Sequence, residues 1–203
     1  MISPNTLKGL ALPVVLIVIG EIAGRMANLT DIDSLAPPSA IVAAFFEAVA
    51  DGSLIHTTRD TLVTAFAGLA IGGSIGLLIG IVLGVLPAAD RLMEVTIEAI
   101  RPIPSIALLP IALIALGFGY RMEIAIIAFA CVWPILILSR AAVREVEPRL
   151  MEVARALRLS PADRVRKIII PAALPRIFVA FRLAAGIALI VAVTVEIAIN
   201  PIG

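Results

Sequence analysis

The basic residues of this chain are concentrated in one segment, where they could bind a negatively charged surface. Nine of the sixteen lysines and arginines lie between Arg140 and Arg176. Such a segment can bind the anionic headgroups of a bilayer. It can equally dock on a partner protein. The residue types alone leave both interpretations open.

The remaining chemistry-bearing residues exclude several classes of site. Lys8 and Lys167 are the only lysines, and neither belongs to a Gly-x-x-x-x-Gly-Lys-Ser/Thr loop, so the chain itself has no such ATP site. His56 is the only histidine, so the chain cannot form a His-Glu-x-x-His metal site. His56 is most simply interpreted as a solvated loop residue. Cys131 lies within an apolar run, where we expect a buried small residue. No catalytic residue, cofactor, metal or nucleic-acid partner is expected.

Two ionisable residues lie within apolar stretches and bear on transport. An ion-driven transporter uses intramembrane charges as relays. Glu196 and Arg182 are the candidates, and the sequence shows no evident partner for either. We expect Glu196 near the outer boundary of its span, although a substrate contact stays open.

The composition indicates that membrane-spanning helices position these residues. The chain has 203 residues, of which 61% are hydrophobic and 15% charged, against about 25% charged in soluble domains. Apolar runs of roughly 17–25 residues cross a bilayer as helices. The sequence therefore predicts an all-α polytopic bundle with spans near residues 7–23, 61–86, 100–118, 124–138 and 177–199.

A short amphipathic helix is predicted between the first two spans. Ser39 is the expected N-cap, and Asp51-Gly52 the expected stop. The helix either packs on the bundle or presents a partner surface. We thus expect two domains: residues 1–60, with the first span and this external helix, and residues 61–203, the core with a cytoplasmic loop at 140–176.

The distribution of charge predicts the orientation. If five spans alternate, twelve basic residues fall on the side of the N-terminus and three on the other side, with Arg182 inside the last span. Cytoplasmic loops carry the excess of Lys and Arg. The N-terminus and the loop at 140–176 are therefore expected in the cytoplasm.

A repeat of glycines in the second span predicts close helix packing. Small residues spaced by four let two helix backbones touch. The pattern does not say whether the contact is within one subunit or between two. The five residues are Gly68, Gly72, Gly76, Gly80 and Gly84.

The basic segment reads as two short helices joined by a turn. Pro148 can open the first, with Leu150, Val153, Ala154 and Leu157 on one side. For the second, Ser160 is the expected N-cap, Pro161 the first helical residue and Asp163 the partner of the cap. Val165, Ile168 and Ile169 form its apolar stripe, and Pro171 is expected to end it.

This segment resembles the cytoplasmic loop of ABC-importer permeases. The family pattern is E-A-A, three residues, G, nine residues and I-x-L-P, and EVARALRLSPADRVRKIIIP keeps its spacing. Arg158 stands at the glycine position, where a left-handed residue ends a helix, so we expect the first helix to end differently. The segments RPIPSIALLPIALIALGFG, PPSAIVAAF and FRLAAGIALIVAVTVEI resemble permeases that import nitrate, taurine and alkanesulfonates.

The resemblance implies a type I ABC importer permease in a bacterial inner membrane, with partners that supply energy and substrate. These are a cytoplasmic ABC ATPase, a periplasmic or extracellular substrate-binding protein, and a second permease subunit, expected to be another copy of this chain. Bulk or reversed charge at Ala154 or Leu157 is expected to abolish ATPase binding. The loop residues implied to couple to the ATPase are Glu152, Val153, Ala154, Arg155, Leu157, Arg158, Ser160, Asp163, Ile168 and Pro171.

The translocation pathway is predicted less directly. Pro102 and Pro104 at the mouth of the third span free backbone carbonyls that could line a pathway beside Arg101. Alternatively, Arg101 extends to the membrane interface. Glu196 is the remaining pathway candidate. The family pattern expects one more helix after Glu196, and the substrate stays open among nitrate, taurine, other sulfonates and a vitamin precursor.

Overall fold

Long apolar helices dominate the structure, as the hydropathy predicts. The computed structural model describes residues 4–28 and 36–199, and the side chains of residues 11–26 and 36–199. This part of the chain contains helices and no strand, which confirms the all-α class. The helices are α1 (Pro4–Asn28), α2 (Pro38–Ala50), α3 (Ser53–Val85), α4 (Pro87–Ile100), a 3-10 turn (Ser105–Leu108), α5 (Leu109–Leu116), α6 (Tyr120–Arg144), α7 (Pro148–Ala156), α8 (Pro161–Arg164), a π-turn (Val165–Ile169) and α9 (Ile170–Ile199).

Three helices of the described part are long and apolar enough to cross a membrane. They are α3, α6 and the continuous helix Pro161–Ile199. A fourth span results if α4 and Ser105–Leu116 are counted together, although a bend of 78° separates them. The predicted first span lies in α1, whose residues 4–10 have side chains outside the described set. The count of five spans therefore stays a prediction.

The predicted third span, residues 100–118, is wrong as a single helix. α4 ends at Ile100, and a non-helical bend leads into the 3-10 turn and the short α5. Pro102 and Pro104 cause the break, because proline lacks an amide proton and its ring clashes with the preceding turn of a helix. By contrast, Pro134 lies within α6, which continues as a helix to Arg144.

The chain divides into two compact units, residues 1–58 and 59–203. In the first unit, α1 and α2 are joined by hydrogen bonds: Glu21 accepts from the Ser39 amide at 3.0 Å and the Ser39 hydroxyl at 2.7 Å. The predicted N-cap role of Ser39 is wrong. Pro37 is the N-cap, two residues earlier, because Pro38 is favoured as the first helical residue.

The core of the second unit lies between α6 and α9. α9 presents small residues to this core, including Ala180, Ala184 and Ala188. Small side chains let helices approach closely within a membrane. Cys131 is fully buried, as predicted, and its thiol donates to the Ala184 carbonyl at 3.6 Å.

The glycine stripe of α3 lies against the backbone of α6. A Cβ atom on Gly72 would be 2.2 Å from the Ala128 carbonyl oxygen. A Cβ on Gly76 would be 2.5 Å from the Val132 oxygen. Gly68, Gly80 and Gly84 face α6 in the same way, so the contact lies within one chain.

Candidate functional site

The loop between α6 and α9 is an ordered helical structure. α7 begins with Pro148 in its first turn, as predicted. Two backbone hydrogen bonds close its C-terminal end. The Leu159 amide donates to the Ala154 carbonyl and the Arg158 amide to the Arg155 carbonyl, each at 3.0 Å. These two bonds define a Schellman turn.

Arg158 occupies the left-handed position of this turn. Its φ of +50° makes it the one non-glycine residue with positive φ in the described part of the chain. The expectation that α7 ends differently here is therefore wrong. α7 ends as it would with glycine at position 158, because the two hydrogen bonds of the Schellman turn hold Arg158 in the left-handed conformation. That conformation costs a non-glycine residue roughly 1–2 kcal/mol.

The second loop helix starts as its sequence predicts. The Ser160 hydroxyl accepts from the Asp163 amide at 3.1 Å and donates to the Asp163 carboxylate at 2.9 Å. Pro161 is the first helical residue. Lys167 adds an exposed ion pair with Asp163 at 2.8 Å. These contacts fix the direction in which the chain leaves the turn.

The predicted stop at Pro171 is wrong, because the helix runs through it to Ile199. A wide turn, Val165–Ile169, precedes the proline, and the Ile170 amide donates to the Val165 carbonyl five residues earlier. This π-turn moves the preceding carbonyls away from the proline ring, which would clash with them in a regular α-helix. From Pro161 onward, the basic segment is thus one continuous helix with α9.

The loop has a buried face toward the bundle and an exposed face away from it. Ile169 belongs to a buried cluster with Ala142, Val143, Ala173 and Ile177, and Ile168 is half-buried. Ala154 is fully buried, whereas Leu157 is 65% exposed. The other exposed candidates are Glu152, Val153, Arg155, Arg158, Ser160 and Pro171.

The pathway candidates at the break are brought together on an exposed surface. Arg101, Pro102 and Pro104 follow one another in the bend between α4 and the 3-10 turn, and all three are exposed. Non-helical backbone at membrane depth is tolerated only where it is covered by protein or lines water. Their exposure in the single chain is consistent with either of those two environments.

Glu196 lies elsewhere, at the far end of α9. The Thr61 hydroxyl donates to its carboxylate at 3.0 Å, a partner that was not evident from the sequence. Glu123, 5% exposed on α6, lies within hydrogen-bond range of Thr64 and electrostatic range of Glu196. Sequence reasoning missed Glu123, because only the fold brings these three helices together.

A buried ion-pair cluster joins α4 to the end of α6. Asp90 is 3% exposed, and its Oδ2 accepts a hydrogen bond from Arg140 Nη2 at 2.8 Å. Arg140 Nε lies 2.6 Å from Asp90 Oδ1, an ion-pair contact without hydrogen-bond geometry. Arg144, one turn further on, donates to the same carboxylate. Sequence reasoning counted both arginines only as cytoplasmic charge. The available signals were an aspartate in the first turn of a helix and two arginines spaced by four residues.

The exposed end of α6 makes a further ion pair, with α9. Arg176 Nη1 donates to Glu145 Oε2 beside a groove of about 260 Å³ lined mainly by apolar residues. Both partners are more than half exposed. Such a pair contributes little stability by itself.

The fold has a close counterpart among solved structures. The inward-facing MetNI methionine ABC transporter superposes with a TM-score of 0.65 at 24% identity, covering 71% of this chain and 74% of that chain. This likeness shows that the described helices have the type I importer fold.

Sequence comparison then assigns the family. The model for the binding-protein-dependent transport system inner membrane component matches residues 72–203, and the chain belongs to this family. SsuC of Bacillus subtilis, named for aliphatic sulfonate transport, is 31% identical over 94% of this chain and 69% of its own length.

Two further relatives come from Synechocystis. The bicarbonate transport system permease protein CmpB is 33% identical over 75% of this chain. The nitrate import permease protein NrtB is 32% identical over 72%. The chain spans 54% and 56% of the lengths of these two proteins, respectively.

Proposed function

We propose that this chain is the membrane-spanning subunit of an ATP-driven importer and that its loop docks on a cytoplasmic ATPase. The observation that carries the proposal is the ordered loop, in which a Schellman turn and a capped helix present Leu157 and Arg158 outward. A segment that only met lipid headgroups would not need this defined turn. The MetNI likeness supports the fold on which the loop is built.

The rigid connection between loop and bundle supports a mechanical role. The helix that starts at Pro161 continues to Ile199, and Ile169 anchors it in a buried cluster. A force applied at the exposed turn therefore acts on a membrane-spanning helix directly. The ATPase supplies the ATP site, for which the chain itself has no phosphate-binding loop.

Docking can be tested by substitutions on the exposed side of α7. We expect Leu157→Glu to abolish co-purification of the ATPase, because it places a charge in the centre of the proposed contact. Ala154 is a poor test residue, since it is buried and its substitution would disturb the fold.

Arg149→Glu is the matched control for Leu157→Glu. Arg149 lies on the same helix, and its side chain is 88% exposed. This variant is expected to keep the ATPase bound, and both variants should insert into the membrane like the unchanged chain. Normal ATPase recovery with Leu157→Glu would contradict the docking assignment.

We further propose that the transported substrate is a small anion. The relatives' names specify sulfonates, bicarbonate and nitrate, all of which carry negative charge. A substrate-binding protein outside the membrane would deliver the anion, in keeping with the family description. The exposed bend with Arg101, Pro102 and Pro104 would line the pathway, and a second copy of this chain would complete it.

The basic loop sets the proposed orientation in the bacterial inner membrane. Most of the lysines and arginines lie on the side of residues 140–176, which the positive-inside rule places in the cytoplasm. The N-terminus would lie on the same side. This arrangement puts the proposed docking surface where ATP is available.

A further inference from the structure

The cluster of Asp90, Arg140 and Arg144, here termed the Asp90 clamp, connects the two regions on which the proposed function depends. We propose that the Asp90 clamp transmits movement of the ATPase-docking loop to the bend at residues 101–104. The inference rests on the proposed function and adds a role for three residues that the loop and pathway assignments leave unexplained.

The first step of the argument is that the clamp holds α4 to α6 firmly. Asp90 is almost fully buried and binds two arginines from successive turns of α6. Charge-assisted hydrogen bonds from both guanidinium groups to Asp90 Oδ2 keep α4 close to α6. The N-terminal position of Asp90 in α4 adds a favourable interaction with the helix dipole.

The second step is that the clamp lies directly beside the loop. Arg144 is the last residue of α6, and α7 begins four residues later at Pro148. Arg140 also packs against the glycine stripe, since a Cβ on Gly80 would lie 3.2 Å from its amide nitrogen. The end of α6 thus contacts both α3 and α4, and we expect the three helix ends to move together.

The third step is that α4 ends at the bend. From Asp90 to Ile100 the helix extends about 15 Å, and the non-helical residues follow immediately. Ile97 is buried in a cluster with Leu83 and Leu136, so the C-terminal part of α4 also packs against its neighbours. A tilt imposed at Asp90 would therefore change the position of residues 101–104.

The experiment follows the accessibility of the bend in the assembled complex. Ile103, 39% exposed, is replaced by Cys in a Cys131→Ser chain, so that the new thiol is the only one in this chain. The complex of permease and ATPase is reconstituted in vesicles. The rate of labelling by a hydrophilic maleimide is then compared without nucleotide and with ATP plus vanadate.

We expect a change in labelling rate of about 5-fold or more in the parent chain, which is the lower range of coupling between distant sites. In Asp90→Asn the ATPase should still bind and hydrolyse ATP, whereas the labelling rate should no longer respond and uptake should be lost. Glu94→Gln is the matched control on an exposed position of α4. It should behave like the parent chain.

The outcomes separate the clamp from the proposed function. A full labelling response in assembled Asp90→Asn overturns the clamp, because the residue then has only a structural role. If Asp90→Asn does not assemble, the milder Arg144→Gln, whose side chain is 38% exposed, is judged by the same criterion. A parent chain that binds the ATPase but shows no labelling response to ATP overturns the clamp alone, whereas a parent chain that does not bind the ATPase overturns the proposed function.

Discussion

At the scale of single residues, Arg158 shows how a loop can keep its geometry with an unfavourable residue. Two backbone hydrogen bonds hold it at a φ of +50°. Glycine adopts this conformation without a steric penalty. The arginine is therefore retained at a local loss of stability, and its exposed side chain is free to contact a partner.

We expect Arg158→Gly to stabilise the turn by about 1 kcal/mol, because it removes the left-handed strain. Amide hydrogen exchange of the segment from Leu157 to Arg164 should slow accordingly. The same change at Arg155, inside α7, should have the opposite sign, at about 1 kcal/mol less stable. Faster exchange in Arg158→Gly would show that the arginine side chain itself supports the turn.

The polar residues also show where single-sequence reasoning stops. Ser160, Pro161 and Asp163 are neighbours in the chain, so their cap was predictable from spacing alone. By contrast, Asp90 and Arg140 form a hydrogen bond although they lie fifty residues apart in the chain. Their pairing depends on how α4 packs against α6, which no local pattern encodes.

At the scale of helices, the α3–α6 contact depends on the absence of side chains. Placing a Cβ on Gly76 would bring it within 2.5 Å of a backbone oxygen of α6. Backbone cannot move aside as a flexible side chain can. The helices would have to separate along the whole stripe.

Gly76→Ala is therefore expected to destabilise the folded chain by about 1–3 kcal/mol through overpacking. Thermal unfolding in detergent measures the effect. Gly186→Ala on α9 is the matched control, since a Cβ there meets nothing within 4 Å of it in the chain. Equal melting temperatures for Gly76→Ala and the unchanged chain would mean that α3 and α6 are less closely packed.

The effect of a proline on its helix was predicted wrongly at two places in the chain. Pro102 and Pro104 break the third span, where a continuous helix was predicted, whereas Pro171 leaves its helix continuous, where a stop was predicted. The difference is the π-turn Val165–Ile169, which rearranges the carbonyls before Pro171. Hydropathy locates apolar segments, but it does not tell whether local backbone adjustments can accommodate a proline.

At the scale of the whole molecule, the exposed apolar surface matches a protein that works within a membrane. Large side chains of α3 and α9, such as Phe66, Phe178 and Ile197, are more than half exposed. In water such a surface would aggregate. Composition was sufficient to predict this class, because the length of apolar runs directly reflects the thickness of a bilayer.

The proposed coupling to ATP hydrolysis concerns the assembled transporter and provides the broadest prediction. The chain should be reconstituted with the proposed ATPase in vesicles that contain ATP, with the proposed binding protein outside. We expect uptake of a radiolabelled anion only when ATP and the binding protein are both present, because the chain itself has no phosphate-binding loop. Dissipating proton and sodium gradients with ionophores should leave the initial rate unchanged.

The acidic residues at the far end of the bundle make this comparison informative. Glu123 and Glu196 are the kind of intramembrane carboxylates on which an ion-driven transporter would depend. If they relay ions, Glu123→Gln should abolish uptake, and ionophores should abolish it in the unchanged chain. If they only join α3, α6 and α9, Glu123→Gln should keep ATP-dependent uptake. We expect the second result, because the Thr61 hydroxyl already donates to the Glu196 carboxylate and so joins α3 to α9.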